Sequence, residues 1–111
     1  VFKVCLEIKK KERKNMKKYS IIQNDMNRCI ICDKPSNHKH EVFYGKNHKN
    51  SIKYGLVVGL CMDHHTGYNG VHTSRGTLLN YELKKLAQKK YMEYYNKTEQ
   101  DFIKIFNKNY L

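Results

Sequence analysis

Two short cysteine motifs constrain this chain more than anything else in it. Cys29-Ile-Ile-Cys32 opens a segment that Cys61-Met-Asp-His64 closes. Each C-x-x-C or C-x-x-H pair offers two ligand atoms from one tight turn, and two such turns complete the tetrahedron of a zinc ion. The Cys₃His set of Cys29, Cys32, Cys61 and His64 therefore reads as a structural zinc site. His64 and His65 are adjacent, so spacing alone lets either supply the fourth ligand. Cysteines merely buried in an apolar turn would leave a histidine at the matching offset unexplained.

Three of the four cysteines and all six histidines fall between Cys29 and His72. Cys5 stands apart and reads as a free thiol. A zinc ribbon that only binds a partner needs no histidines beyond its ligands, yet His38, His40, His48, His65 and His72 are left over. If a hairpin brings His40 beside the segment after Cys61, then His40, His65 and His72 converge on a second metal, a catalytic one. A metal held by imidazoles stabilises charge building on a scissile phosphate and its leaving oxygen. A histidine titrating near neutrality can take a proton from water. His38 and His48 read instead as plain solvent-facing residues.

At 111 residues the chain is long enough for one modest core and near the size at which a structural metal adds to it. A net charge of +12 directs it toward polyanions, nucleic acid first and an anionic membrane surface second. No apolar run approaches the roughly 20 residues that span a bilayer, and nothing resembles an export signal. Cysteines at ligand spacing without such a signal fit a reducing cytoplasm, so the expected location is cytoplasmic, with no membrane partner.

Residues 1–18 read as a basic tail or upstream remnant. Phe2, Val4, Leu6 and Ile8 alternate as a short strand would, and a lysine-rich run follows. Met16-Lys-Lys-Tyr-Ser-Ile-Ile looks like an ordinary bacterial start, which makes residues 1–15 the end of a longer protein or an over-long gene model. Residues 19–111 form the domain, with its core at 29–72 and helices at 78–110. Ile21 and Ile22 tuck toward the core. Asp33 and Pro35 supply turn chemistry to the first knuckle, and His38 to Tyr44 has strand character that Gly45 ends. GKNHKNSIKYG reads as a polar, basic loop joining a hairpin. Gly55-Leu-Val-Val-Gly-Leu60 is the best strand, and it delivers Cys61 directly.

MDHHTGYNG allows a short helical turn at most. From Leu78 to about Tyr95, apolar residues at Leu79, Leu83, Leu86, Ala87, Tyr91 and Tyr94 keep helical spacing, while Lys84, Lys85, Lys89 and Lys90 read as a solvated face. Thr98-Glu-Gln-Asp101 resembles a capping box. It opens a last helix with Phe102, Ile105, Phe106 and Tyr110 on its apolar stripe.

His40-Glu-Val-Phe-Tyr-Gly45, Ser51-Ile-Lys-Tyr-Gly-Leu-Val-Val-Gly-Leu-Cys61, His64-His65 and Gly70-Val-His72 together resemble the His-Asn-His (HNH) nuclease superfamily. They look most like its phage-borne branch of recombination-enhancement, RecA-dependent nucleases, and the likeness runs from about Cys29 to the C-terminus. It implies a small α+β fold, a zinc-stapled ββα-metal core with two C-terminal helices. It also implies DNA endonuclease activity, and a recombinase filament as a further partner.

By this resemblance Cys29, Cys32, Cys61 and His64 hold structural Zn²⁺. His40, His65 and His72 hold a catalytic Mg²⁺, Mn²⁺ or Zn²⁺, and His40, Glu41 and His65 are the catalytic set. Two departures stand out. Glu41 occupies the position of the usual histidine base, so the base is either Glu41 or His40. The motif's middle asparagine has no match, since Leu56 stands in its place and Asn50 and Asn69 are distant substitutes. Lys46, Lys49, Lys53 and Arg75, in loops flanking the site, are the expected phosphate contacts. The other reading of the same residues is an inactive, zinc-dependent nucleic-acid-binding accessory protein.

Overall fold

The computed structural model describes residues 17–111, so the tail strand expected at Phe2–Ile8 and the thiol of Cys5 lie outside the described residues. Among those described, the order is strand β1 (His38–Glu41), helix α1 (His48–Tyr54), strand β2 (Val57–Leu60), helix α2 (Met62–His65), helix α3 (Thr77–Tyr95) and helix α4 (Glu99–Phe106). Short 3₁₀ turns at Gly45–Asn47 and Ser74–Gly76 precede α1 and α3. The result is a small α+β domain, a two-stranded sheet with four helices.

β1 and β2 pair antiparallel, with His38 opposite Leu60 and His40 opposite Val58. The Val42 N–H bonds the Leu56 carbonyl at 3.0 Å, carrying the pairing one residue past β1. Phe43 then leaves the ladder for the Ser51 hydroxyl, which accepts from its N–H at 3.0 Å and donates to its carbonyl at 2.8 Å. The strand is therefore shorter than the His38–Tyr44 run of strand-like residues, because Ser51 takes over its last backbone groups.

The expected hairpin loop is instead a helix, α1. Gly55 stops it in the left-handed region (φ +72°), where a side chain would also overlap the Tyr19 ring. The Leu56 N–H then bonds the Ser51 carbonyl at 2.8 Å, and the chain enters β2. Tyr19 clamps the same corner: its hydroxyl donates to the Lys53 carbonyl at 2.5 Å, and Tyr95 of α3 donates to the Tyr54 carbonyl at 2.9 Å.

β2 is buried along its whole length, which is why it reads as a continuous apolar run rather than an alternating one. α3 lays Leu83, Ala87, Gln88 and Tyr91 on the core. Tyr94, expected in that stripe, is instead 66 % exposed, because the buried face turns through Gln88 and Tyr91. Gln88 is fully buried and fully used: its amide nitrogen donates to Asn109 at 2.8 Å, and its oxygen accepts the Tyr110 N–H at 2.7 Å. α3 ends on Asn96 in the left-handed conformation, and Thr98 with Asp101 forms the expected capping box for α4. Phe102 and Phe106 then stack at 4.6 Å and pack on Phe43 at 5.4 and 4.7 Å. Ile21 and Ile22 lie against this core as expected. No helix among the described residues is long and apolar enough to cross a membrane.

Candidate metal centres

The first knuckle forms where residues 28–35 fold back on themselves. The Cys29 N–H bonds the Lys34 carbonyl at 2.7 Å, and the Asp33 N–H bonds the Cys29 carbonyl at 2.9 Å. Asp33 sits in the left-handed region (φ 62°) that aspartate tolerates better than most residues. The knuckle is stitched to β2 through the Ile30 N–H and the Gly59 carbonyl at 2.9 Å. β2 runs straight into Cys61, the residue before α2, so one turn of helix brings His64 back over it.

Cys32 Sγ and Cys61 Sγ are 3.7 Å apart, Cys29 Sγ and His64 Nδ1 3.7 Å, and Cys61 Sγ and His64 Nδ1 3.2 Å. All four ligand atoms lie within 4.8 Å of one another. A tetrahedral zinc thiolate site has ligand-to-ligand edges of about 3.8 Å, so these residues fit a structural metal such as zinc. His64 is the fourth member; His65 points elsewhere.

Electrostatics favour a cation at this cluster. Burial raises the Cys29 thiol, but backbone N–H groups of Cys61, Cys32 and Ile31 outweigh it and bring it down to about 6. Cys32 moves upward: the Lys34 N–H lowers it, but burial and the sulfurs of Cys29 and Cys61 prevail. Crowded thiolates repel unless a metal ion lies among them. The Asp63 carboxylate, 4.0 Å from His64 Nε2, supplies an outer partner to the imidazole. Asn69 in turn holds Asp63 through its side chain at 3.1 Å and its N–H at 3.3 Å, and these bonds lower the carboxyl pKa. Asn69 thus braces Asp63 beside the knuckle. Asn50 lies on α1.

His40, His65 and His72 also converge, with ligand nitrogens within 4.8 Å of one another. β1 presents His40, and α2 presents His65. His72 arrives because the chain after α2 doubles back along it: the Val71 N–H bonds the His64 carbonyl at 2.9 Å, and the His72 N–H bonds the His65 carbonyl at 3.2 Å. Gly70 and Gly76 make this fold-back feasible, since a side chain on Gly70 would overlap the His65 carbonyl and one on Gly76 the Gly70 carbonyl. The rings meet at 5.2 Å (His40–His65), 5.0 Å (His40–His72) and 4.7 Å (His65–His72).

Two nitrogens here are buried without a hydrogen-bond partner among the described residues: His40 Nε2 and His65 Nδ1. Buried polar atoms are normally satisfied, and two idle imidazole nitrogens within so close a trio suit a metal ion. Burial, then the neighbouring His65 and His72, push His40 down to about 3. Burial, then His38 and His72, push His65 down to about 4. Both rings are held neutral, the form that binds metal.

Glu41 lies outside the trio. Its carboxylate accepts from Lys18 Nζ at 2.7 Å, and Lys18 also donates to the Lys39 carbonyl at 2.9 Å. His48 is exposed as expected, with its ring nitrogen 2.7 Å from the Gly45 carbonyl. His38 is exposed too, yet its ring lies 4.5 Å from that of His65, so it borders the trio instead of facing only solvent.

The basic residues differ from expectation in setting. Lys46 and Arg75 stand in 3₁₀ turns and Lys49 and Lys53 on α1, all exposed. Arg75 stacks over Tyr68 at 4.0 Å, and Lys53 lies over Tyr54 at 5.3 Å. Sequence reasoning missed Tyr44, whose ring lies 4.7 Å from His72 and 5.7 Å from His40. It also missed Lys84, taken for a solvated residue, whose ammonium sits 4.7 Å over the Tyr44 ring. Helical periodicity does not separate Lys84 from its neighbouring lysines or reach Tyr44, because the two meet only where α3 packs on Tyr44, beyond the end of β1.

Fold and geometry together define a small α+β domain whose Cys₃His cluster could hold a structural metal such as zinc. No family model, curated protein or solved structure matches the chain.

Proposed function

We propose that this chain is a metal-dependent DNA endonuclease of the HNH type. The observation that carries the reading is the trio of His40, His65 and His72, gathered within 4.8 Å beside a Cys₃His cluster, with buried nitrogens that lack partners. The succession of two antiparallel strands and a short helix agrees with the ββα-metal arrangement that the motifs resemble. A divalent metal bound there supplies Lewis-acid stabilisation of charge on the scissile phosphate and the leaving oxygen.

The chain's own residues do the rest. Burial keeps His40 and His65 neutral, ready to ligate or, for His40, to accept a proton. Glu41, the other candidate base, is half-buried and held by Lys18. A net charge of +12 supports affinity for the phosphate backbone without sequence preference.

With Mg²⁺ or Mn²⁺ the protein should nick supercoiled plasmid, alone or beside a recombinase filament. His65→Ala should abolish cutting while leaving DNA affinity nearly unchanged. Glu41→Gln separates the two candidate bases, since it stops turnover only if Glu41 is the base, whereas His40→Ala also removes a ligand. A dead Glu41→Gln beside an active His40→Ala would assign the base to the carboxylate. A wild type that cuts nothing with any of these metals, yet binds DNA with steep salt dependence, is instead a zinc-dependent nucleic-acid-binding accessory protein.

A further inference from the structure

We infer that Lys84 binds a backbone phosphate of the nucleic-acid strand seated at the three-histidine site, with the Tyr44 ring as its platform; this rests on the function proposed above. Lys84 belongs to α3, outside the segment that carries every cysteine and histidine of the two clusters. Its ammonium lies 4.7 Å over the Tyr44 ring and 5.7 Å over the Tyr110 ring. Tyr44 in turn packs on His72 at 4.7 Å and on His40 at 5.7 Å. One aromatic ring therefore touches both the cation and two members of the trio.

The arrangement looks built rather than incidental. The Tyr44 hydroxyl is held by Asn80, one helical turn before Lys84 on α3, whose amide donates to it at 2.9 Å. The Asn80 side-chain oxygen is buried with no partner among the described residues. No carboxylate among the described residues pairs with Lys84, whereas Lys18 has Glu41 and Lys85 has Glu82. A half-buried ammonium without a counter-ion normally moves toward solvent or acquires a partner. Here two rings lie beneath the ammonium and cap its charge, leaving its donors free for an anion. Burial, then Lys108, already lowers its pKa, a strain that an incoming phosphate would relieve. The charge is also felt at His40, as expected of a cation bordering that site. A phosphodiester is the anion that fits, because the trio suits a metal that itself attracts phosphate oxygen.

The test uses a short fluorescein-labelled duplex and the full chain in its zinc-loaded form. Lys84→Met keeps an unbranched side chain of similar length and removes the charge. Lys84→Arg keeps the charge, and Lys89→Met, on the exposed face of α3, controls for net charge. Lys84→Met should bind about tenfold more weakly, with the slope of log K against log salt reduced by about one. Lys84→Arg should stay near wild type and Lys89→Met should lose much less. Under cleavage conditions Lys84→Met should raise KM with little change in kcat.

Equal binding by Lys84→Met and Lys89→Met overturns the inference even if the wild type cuts DNA. So does an equal loss in Lys84→Met and Lys84→Arg accompanied by a fall in Tm, which makes Lys84 a packing residue. If no variant cuts but Lys84→Met alone loses affinity and salt slope, the phosphate contact stands and the nuclease reading falls.

Discussion

His40 is 3 % exposed on a chain that carries twelve net positive charges, with two other imidazoles against it. An imidazolium there would face desolvation and repulsion together, and both terms drive the proton off. Its pKa is about 3 and that of His65 about 4, below the ordinary 6.5. The unfolded chain therefore binds more protons than the folded one between these values and 6.5. The contribution of these two histidines to stability is complete above about pH 6.5 and declines as pH falls toward 4 and then 3. In a long-range ¹H–¹⁵N spectrum the His40 nitrogens should show no titration from pH 8 to 5. A His40 titrating near 6.5 would mean that the trio is open to water. The same burial makes His40 and His65 ordinary histidines in sequence and unusual ones in place.

The elements differ in what holds them. α4 is short, at eight residues, and below the length at which a helix persists by itself. It depends on its ends and on the phenylalanine face. Thr98 Oγ1 accepts the Asp101 N–H at 3.2 Å, and Asp101 Oδ2 accepts the Thr98 N–H at 2.9 Å. Thr98→Ala should cost about 1 kcal/mol in urea unfolding, and Thr98→Ser should recover most of it. The Thr98 backbone N–H, then its hydroxyl, lowers the Asp101 carboxyl below its ordinary 3.8. The contribution of Asp101 is thus complete above about pH 4 and fades as pH falls through the lowered value. Asp101→Asn should flatten that acid limb of the stability profile; an unchanged limb would exclude the cap as its source.

Across the whole molecule, the Cys₃His cluster ties together parts of the chain that share little else. Cys29 and Cys32 come from a turn before the sheet, Cys61 from the end of β2 and His64 from α2. A metal at such a cluster binds the folded chain far better than the unfolded one, so its binding energy is folding energy. Chelation should lower Tm by well over 10 °C and release close to one zinc per chain, read by calorimetry and by a colorimetric zinc indicator. Cys61→Ser should reproduce the loss. A chain that keeps its Tm after exhaustive chelation would remove the cluster from the fold's foundations.

The knuckle cysteines, β2 and the cap of α4 were legible in the linear chain because each is a local signal: fixed ligand spacing, a continuous apolar run, a Thr-x-x-Asp motif. Helix α1 was not. Its residues are mostly polar and carry no capping side chain, and it is held by Ser51 bonding Phe43 across the corner and by Tyr19 at its end. Those are contacts between distant residues, which no local pattern encodes. His40, His65 and His72 could be nominated from spacing, but their meeting depends on the β1–β2 register and on the chain doubling back after α2. Lys84 lay among lysines that periodicity assigns to solvent, and only the packing of α3 against Tyr44 separates it from them. Ligand identity and helix ends are written in neighbouring residues, whereas burial, idle nitrogens and a cation's company arise when remote segments exclude water together.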